Sequence, residues 1–146
     1  SIDFGGQYTT TMGNTIYTPS KWDSWPDNVR FVILEHELVH VKQFREWPCG
    51  PKWPLLNRVL FSLAYVFCAP VFWTMRARFE REAYEVQMRL EQTIGMSDFR
   101  KPETVKFYTD WLEGQFCGSA YFYMDTRSSY RKWAKEMFAR VVSRSD

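Results

Sequence analysis

Residues 32–43 read VILEHELVHVKQ and contain both histidines of the 146-residue chain. His36 and His40 lie four positions apart, and Glu37 directly follows the first histidine. For a chain of this composition, chance places two histidines and a glutamate in this order roughly once in a thousand, which makes the HExxH pattern specific. Four positions span slightly more than one helical turn, so both imidazoles can lie on one face. The stretch therefore predicts a helix with a face formed by paired histidines.

Sequence signals on both sides of the motif predict one long helix over residues 25–46. Ser24 is a candidate N-cap, because its hydroxyl can accept a hydrogen bond from an early backbone N–H. Pro26 suits the first turn, where a missing N–H costs nothing. Pro48 and Gly50 end the pattern, since neither continues a helix. The motif is thus expected near the middle of the helix.

A short β-ribbon is expected in front of this helix. Residues 5–20 read GGQYTTTMGNTIYTPS, with β-branched and aromatic residues on both sides of Met12-Gly13-Asn14. A Gly/Asn turn between such runs is typical of a β-hairpin, and Pro19 is expected to end it.

Downstream of the motif, residues 55–75 are strongly apolar, and no charge occurs from Val59 to Met75. This uncharged run is slightly shorter than the ~18–20 residues that a membrane-spanning helix needs, and Pro70 interrupts it. We therefore predict a buried core helix over residues 55–69. A membrane-embedded or membrane-surface hairpin over residues 55–75 is the alternative.

Three further helices are predicted in the remaining sequence. The first begins near Pro70 and ends near Gly95, because proline is accepted in a first helical turn and glycine is a common C-terminal cap. The other two are expected near residues 102–114 and 126–142, with Asp125 as the N-cap of the last helix.

Length and composition describe one ordinary globular domain. The chain is 45% hydrophobic and 25% charged, which is sufficient for a buried core. The net charge is only +2 and the basic residues are dispersed, so no nucleic-acid partner is expected. The three cysteines show no CxxC spacing, which favours free thiols and a reducing compartment. The predicted fold class is α+β, predominantly helical, in a single domain over residues 1–146.

The N-terminal segment SIDFGGQYTTTMG shows no basic-then-apolar signal pattern. A cytoplasmic location is therefore expected. An initial serine is typical after removal of the initiator methionine, so a nearly complete chain is also expected.

The paired histidines favour a catalytic zinc site. His36 and His40 can direct both imidazoles at one point, and neutral imidazole is a good zinc ligand. Glu37 lies about 100° round the helix from His36, beside the two ligands but not in line with them. It can accept a proton from a water molecule that a bound zinc ion activates, and so act as general base in peptide-bond hydrolysis.

A catalytic zinc ion takes three protein ligands and keeps one position open. The chain has no third histidine, so we expect a carboxylate as third ligand, or failing that a cysteine. On a helical wheel of the segment after Pro70, Glu82 lies among charged side chains typical of a solvated face. Glu80 lies on the less charged flank and is the predicted ligand, with Glu82 as the alternative. The same wheel predicts an apolar core stripe formed by Phe72, Met75, Phe79, Ala83, Val86 and Leu90.

These two elements together resemble a known family. HExxH followed by Glu80-Arg81-Glu82-Ala83-Tyr84 is similar to the gluzincin metallopeptidases, whose downstream helix has the form ExxA(D/N/Y). The chain length and the stretches GNTIYTP, HELVHVKQ and FEREAY also resemble small one-domain zincin-like proteins of bacteria and their phages. The resemblance covers roughly residues 8–90 and is specific only at the two helices.

The resemblance implies a zincin-like domain of the minigluzincin type. His36, His40 and Glu80 would be the zinc ligands and Glu37 the general base. Association with the virion is the alternative to a cytoplasmic location if the chain is phage-encoded. The implied partner is a peptide or protein substrate that pairs as an extended strand with the ribbon. The ribbon residues placed to receive that strand are Asn14, Thr15, Ile16 and Tyr17.

One position departs from the family pattern. Many members have an aspartate four residues after the ligand glutamate, whereas this chain has Tyr84, whose phenol can hydrogen-bond a ligand or a developing oxyanion less strongly. Gln43 lies one turn beyond the histidines and either orients a ligand or substrate carbonyl or is a polar residue at a cleft rim. Packing and surface roles are expected, over an oxyanion role, for a late cluster formed by Tyr121, Tyr123, Arg127 and Tyr130.

Two functions follow from these patterns. The first is a zinc-dependent peptidase. The second is a binding or assembly protein that keeps the zincin fold with a vestigial or structural zinc site. A membrane-associated protease that uses the apolar hairpin is a third interpretation.

Overall fold

A computed structural model describes residues 9–46, 55–56, 59, 70–118 and 124–144, with the backbone alone for 70–74. These residues form four α-helices and one two-stranded antiparallel sheet near the N-terminus. The predominantly helical fold with a short ribbon is therefore confirmed. The chain divides into two compact units, Ser1–Leu63 and Ala64–Asp146. The prediction of one domain over the whole chain stays a prediction.

The first unit contains a β-ribbon that contacts the motif helix. Strands β1 (Thr10–Met12) and β2 (Thr15–Tyr17) pair around a turn at Gly13, as predicted. Gly13 has a φ of +64°, a left-handed conformation that glycine adopts without steric cost. Successive side chains of a strand point to opposite faces, and only the middle residue of each strand is partly buried. The paired residues Thr11 and Ile16 therefore share the inner face of the ribbon.

Helix α1 spans Asp27–Glu46 and confirms the long motif helix. The predicted N-cap is wrong, because Ser24 ends a short 3₁₀ turn and its hydroxyl donates to a backbone carbonyl three residues earlier. Pro26 is the physical cause: proline disfavours helical backbone at the preceding residue, and Trp25 is extended with ψ of 145°. The Pro26 carbonyl then accepts the N–H of Arg30 at 3.0 Å, the first hydrogen bond of the helix.

The second unit contains helices α2 (Pro70–Thr93), α3 (Pro102–Cys117) and α4 (Arg127–Ser143). All three predicted helices are confirmed, with ends that differ by a few residues. The C-terminal cap of α2 is also confirmed, because Gly95 has a φ of +73°. The N–H groups of Gly95 and Met96 donate to carbonyls of the last helical turn, which would otherwise lack partners.

The N-cap of α4 is Thr126, one residue beyond the predicted Asp125. The Thr126 hydroxyl accepts the N–H of Ser129 at 3.3 Å. Asp125 instead accepts the Thr126 N–H and forms an ion pair with Arg81 of α2. Both residue types are good caps, so the long-range pairing of Asp125 decides which of the two neighbours takes the role.

The apolar stripe predicted on α2 is wrong by about 100°, the rotation of one helical residue. Of its members with described side chains, only Ala83 is buried, whereas the other four are half-buried: Met75, Phe79, Val86 and Leu90. The wheel built the stripe from apolar residues alone, whereas two carboxylates, Glu80 and Glu91, lie on the buried face. The buried face of α2 is formed by Ala77, Glu80, Ala83, Tyr84, Met88 and Glu91.

The core of the second unit lies where α4 packs against α2 and α3. Aromatic rings provide much of its volume: Phe116 contacts Tyr130 and Trp133 at centroid distances of 5.6 and 5.2 Å. The Tyr130 hydroxyl donates to the Thr109 carbonyl at 2.7 Å, and burial raises the pKa of this phenol. Large aromatic contacts of this kind explain how a small unit buries enough apolar surface.

Most of the apolar run lies outside the described residues. Leu55, Leu56 and Val59 have helical backbone and exposed side chains. The core helix predicted over residues 55–69 is thus described only at these three positions, where it is not buried. Within the described ranges, no helix has the length and apolar character needed to cross a membrane.

Candidate metal centre

The inner face of α1 is polar at its centre. His36 and His40 are buried, with 9% and 3% of their surface exposed, and apolar residues border them on both sides. Their rings meet edge to face, with centroids 5.1 Å apart and planes inclined by 74°. The i, i+4 spacing therefore brings the two imidazoles together away from solvent, as the helical period requires.

Gln43 contacts the second histidine. Its side-chain oxygen lies 2.9 Å from Nδ1 of His40, and both residues are buried. When Nδ1 carries the proton and donates to Gln43, the lone pair of Nε2 is the one that can bind a cation. Gln43 thereby fixes the ring orientation and the tautomer, which is the usual task of a residue behind a histidine ligand.

Glu80 completes a group of three possible metal ligands. One ligand atom each from His36, His40 and Glu80 lies within 4.8 Å of the other two, and all three residues are buried. Glu80 is 2% exposed, whereas Glu82 is exposed. The group can hold a metal ion, and its carboxylate is the one that the helical wheel favoured, although the wheel misplaced the apolar stripe.

Glu37 is buried beside the histidines but is not one of these three ligands. The Thr11 hydroxyl of β1 donates to Oε2 of Glu37 at 2.6 Å. Sequence reasoning missed Thr11, which lies 26 positions earlier in the chain. The period-2 pattern of the ribbon was the available signal, because it puts Thr11 on the face opposite to its exposed neighbours.

The ribbon residues named as substrate-strand candidates lie in and after the turn. Thr15 and Tyr17 of β2 are exposed, and Ile16 is half-buried. Asn14 accepts a hydrogen bond from Arg45 of α1 at 2.9 Å. The ribbon is therefore attached to α1 at its turn, while β2 keeps exposed side chains.

Other candidates from the sequence have packing roles. Tyr84 lies in the core of the second unit, with its ring 5.9 Å from Trp111 and 5.7 Å from Phe116 between centroids. Arg127 pairs with a glutamate on α3, and Tyr130 is a core residue. Tyr121 and Tyr123 lie outside the described residues.

Cys117 is the cysteine that the structure describes, and its thiol is free. Burial raises the pKa of this thiol, and the nearby carboxylates of Asp125 and Glu113 raise it further. A raised thiol pKa disfavours the thiolate that a metal ligand or nucleophile requires. Cys117 is also absent from the group of possible metal ligands within the described part of the chain.

Comparisons with known proteins give no relative for this chain. No model of a protein family matches it, and no curated protein or solved structure is significantly similar to it.

Proposed function

We propose that this protein is a zinc-dependent peptidase with a zincin-like fold of the gluzincin type. The observation that carries the proposal is the buried group of His36, His40 and Glu80, with Glu37 beside it. Two imidazoles and one carboxylate form a donor set that catalytic zinc ions use in peptidases. The resemblance of HELVH and EREAY to the gluzincin motifs supports the same assignment.

The three ligand atoms suit a zinc ion in type, and they lie close enough together to reach its spacing. Ligands around a tetrahedral zinc ion at ~2.0–2.1 Å are about 3.3–3.5 Å apart. The atoms of the present group lie within 4.8 Å of one another, so small rotamer adjustments bring them to that spacing.

A zinc ion held there would act as a Lewis acid that lowers the pKa of a water molecule and polarises the scissile carbonyl. His36, His40 and Glu80 would hold the ion, and Gln43 would orient the His40 ring through the 2.9 Å contact with its Nδ1. Three protein ligands leave one coordination position for substrate chemistry, whereas a structural site is closed by four.

Glu37 supplies the proton transfer in this proposal. It follows a ligand directly in sequence, so it lies next to the reacting water without competing for the metal. Its carboxylate accepts a proton as the water attacks the carbonyl carbon, then passes the proton to the leaving amine. General acid–base groups of this kind contribute about 10²–10⁴-fold to the rate.

The ribbon is the proposed docking edge for the substrate backbone. An extended peptide can add to a free strand edge through main-chain hydrogen bonds. β2, with the turn residue Asn14 and strand residues Thr15–Tyr17, is the candidate named by the family resemblance. β1 lies next to the proposed general base, because its Thr11 contacts Glu37. The outer edges of both strands are therefore candidate docking sites for the substrate backbone.

A second function is favoured by one observation. His40 and Glu80 are 3% and 2% exposed, and Glu37 is only 7% exposed. Ligands this deeply buried also suit a structural ion that stabilises the fold of a binding or assembly protein. The two functions differ in their outcome with substrate, because only the peptidase turns over peptides.

Removal and return of zinc test the proposal. The full chain is freed of metal with a chelator, and cleavage of a mixed peptide library is followed by mass spectrometry before and after one equivalent of zinc is restored. We expect no cleavage without zinc and recovery with it. Stoichiometric zinc binding without any cleavage would favour the binding or assembly protein, and failure to bind zinc would overturn both the peptidase and the structural zinc site.

A further inference from the structure

We propose that Thr11 is a positioning residue that holds the Glu37 carboxylate in its reactive orientation, an inference that rests on the proposed peptidase function. The Thr11 hydroxyl donates to Oε2 of Glu37 at 2.6 Å, within the range of a charge-assisted O–H···O⁻ bond. The same hydroxyl lies 3.4 Å from the backbone carbonyl of Glu37. The donor therefore lies against both the side chain and the main chain of one residue.

A glutamate needs such a partner because its side chain has three rotatable bonds. Ordering a glutamate side chain costs up to about 1.5–2 kcal/mol of rotamer entropy. A hydrogen bond to one carboxylate oxygen fixes the plane of the group and leaves the second oxygen to accept a proton. The cost of orienting the base is then met in the folded protein, before substrate binds.

The position of Thr11 is itself held by the ribbon. Gly13 in the turn lies against the ring of Phe44, so that an added Cβ would lie 3.5 Å from that ring. Asn14, next in the turn, accepts the Arg45 hydrogen bond at 2.9 Å. These contacts attach the turn to the last part of α1, while Thr11 contacts Glu37 two helical turns earlier. Two attachment points fix both the location and the direction of β1 along α1.

The strand pleat gives the hydroxyl its direction. Thr11 is half-buried between the exposed residues Thr10 and Met12, and it pairs with half-buried Ile16 across the ribbon. A shift of register by one residue would turn the Thr11 side chain to the outer face. Attachment of the turn to α1 therefore also keeps the hydroxyl on Glu37.

The test compares Thr11→Val with Thr11→Ser in the zinc-loaded full chain. Valine keeps the shape of threonine and removes the hydroxyl, whereas serine keeps the hydroxyl. We expect Thr11→Val to lower kcat by about 10–100-fold, the loss typical of a misplaced catalytic group, with KM and zinc content unchanged. Thr11→Ser should retain most of the wild-type kcat. Thr93→Val, the same change at an exposed threonine at the end of α2, should leave kcat unchanged.

Each outcome separates this inference from the peptidase proposal. A wild-type protein that cleaves peptides while Thr11→Val keeps the wild-type kcat would overturn the role of Thr11 alone. Equal losses in Thr11→Val and Thr11→Ser would also overturn it, because the hydroxyl would then not be the active feature. A zinc-loaded wild type without cleavage would overturn the peptidase and this role together. Thr11→Ala replaces Thr11→Val as the hydroxyl-free variant if the valine protein does not fold.

Discussion

Glu91 is a carboxylate on the inner face of α2, 5% exposed, whose hydrogen-bond donors are neutral side chains. Tyr108 donates to its Oε2 at 2.5 Å, Ser97 donates to the same oxygen at 2.8 Å, and Gln87 donates to Oε1 at 3.0 Å. A buried carboxylate is costly unless its oxygens are hydrogen-bonded. These three donors therefore explain how the second unit keeps a glutamate in its interior.

Removal of one donor should destabilise the second unit. We expect Tyr108→Phe to lower the free energy of unfolding by about 1–3 kcal/mol, because one oxygen of Glu91 loses its shortest hydrogen bond. Urea denaturation measures the change. Tyr17→Phe, the same change at an exposed residue of the ribbon, is the control and should have no effect. Equal stability of wild type and Tyr108→Phe would contradict the role assigned to this bond.

The raised pKa of Tyr108 allows a second test, in which stability is measured at alkaline pH. Burial, together with the Glu91 hydrogen bond, raises the pKa of Tyr108 to about 12 from its ordinary value of 10.0. A pKa raised on folding gives stability that is complete below the unfolded value and is lost as the pH rises through the folded value. Wild type should therefore lose stability between pH 10.0 and about 12, and Tyr108→Phe should lose less. Urea unfolding on both sides of that window measures the difference.

At the scale of elements, α2 and α4 are joined by a pair of hydrogen bonds. Arg140 of α4 donates to both carboxylate oxygens of Glu85 on α2, at 3.1 and 2.7 Å. The hydrogen bond from Arg140 is the main cause that lowers the pKa of Glu85, while partial burial opposes it and Arg89 adds to it. Bidentate geometry makes this pair stronger than an ordinary surface ion pair.

Arg140→Gln should therefore weaken the packing of α4 on α2. We expect a loss of about 0.5–1.5 kcal/mol at neutral pH. A lowered carboxyl pKa gives stability that is present above the ordinary value of 4.5 and is lost as the pH falls through the folded value. The effect of the substitution should thus disappear in acid. Thermal unfolding over a pH series measures this, with the exposed pair of Lys106 as control, where Lys106→Gln should cost less. An unchanged loss at low pH would contradict the assignment.

The helices and strands show which features of the fold can be predicted from local sequence patterns. Within the described residues, local chemistry accounts for the turn of the ribbon and for several helix ends: Gly13 and Gly95 adopt left-handed turns, and proline lies at the start of the first three helices. Ser24 and Asp125 were wrong as caps because their positions depend on Pro26 and on the distant Arg81. Local propensity carries no information about such distant partners.

The predicted apolar stripe of α2 was wrong, and the role of Thr11 was missed, for a related reason. A helical wheel assigns faces by polarity, so it cannot recognise that Glu91 is buried with donors from a later loop and helix. The Thr11–Glu37 bond joins residues 26 positions apart. By contrast, the His36–His40 face was predictable because the helical period alone determines it. Glu80 was favoured because its flank carries few charges, and that flank is the buried one.

In the whole molecule, three residues of the proposed site would hold one metal ion. We expect His40→Ala to lose zinc and to lower the melting temperature, because an ion bound only by the folded protein stabilises it. Metal analysis by mass spectrometry and thermal unfolding with and without zinc measure both effects. Retention of stoichiometric zinc by His40→Ala would show that the ligand assignment is wrong.

The two glutamates on α2 offer a matched pair for the third ligand. Glu80→Gln should weaken zinc binding strongly, because an amide is a poor replacement for a carboxylate ligand. Glu82→Gln, two residues away and exposed, should bind zinc like wild type. Titration against a competing zinc chelator measures both affinities. The reverse ranking would move the third ligand to Glu82.

Glu37→Gln decides whether this protein is a zinc peptidase with Glu37 as its general base. Glutamine keeps the size of the side chain and its ability to accept the Thr11 hydrogen bond, but it cannot take up a proton. Cleavage of the mixed peptide library is compared between wild type and Glu37→Gln at equal zinc content. We predict that wild type cleaves and that Glu37→Gln keeps its zinc and its melting temperature while losing at least about 10²-fold in activity. Equal cleavage by the two zinc-loaded proteins would contradict the claim.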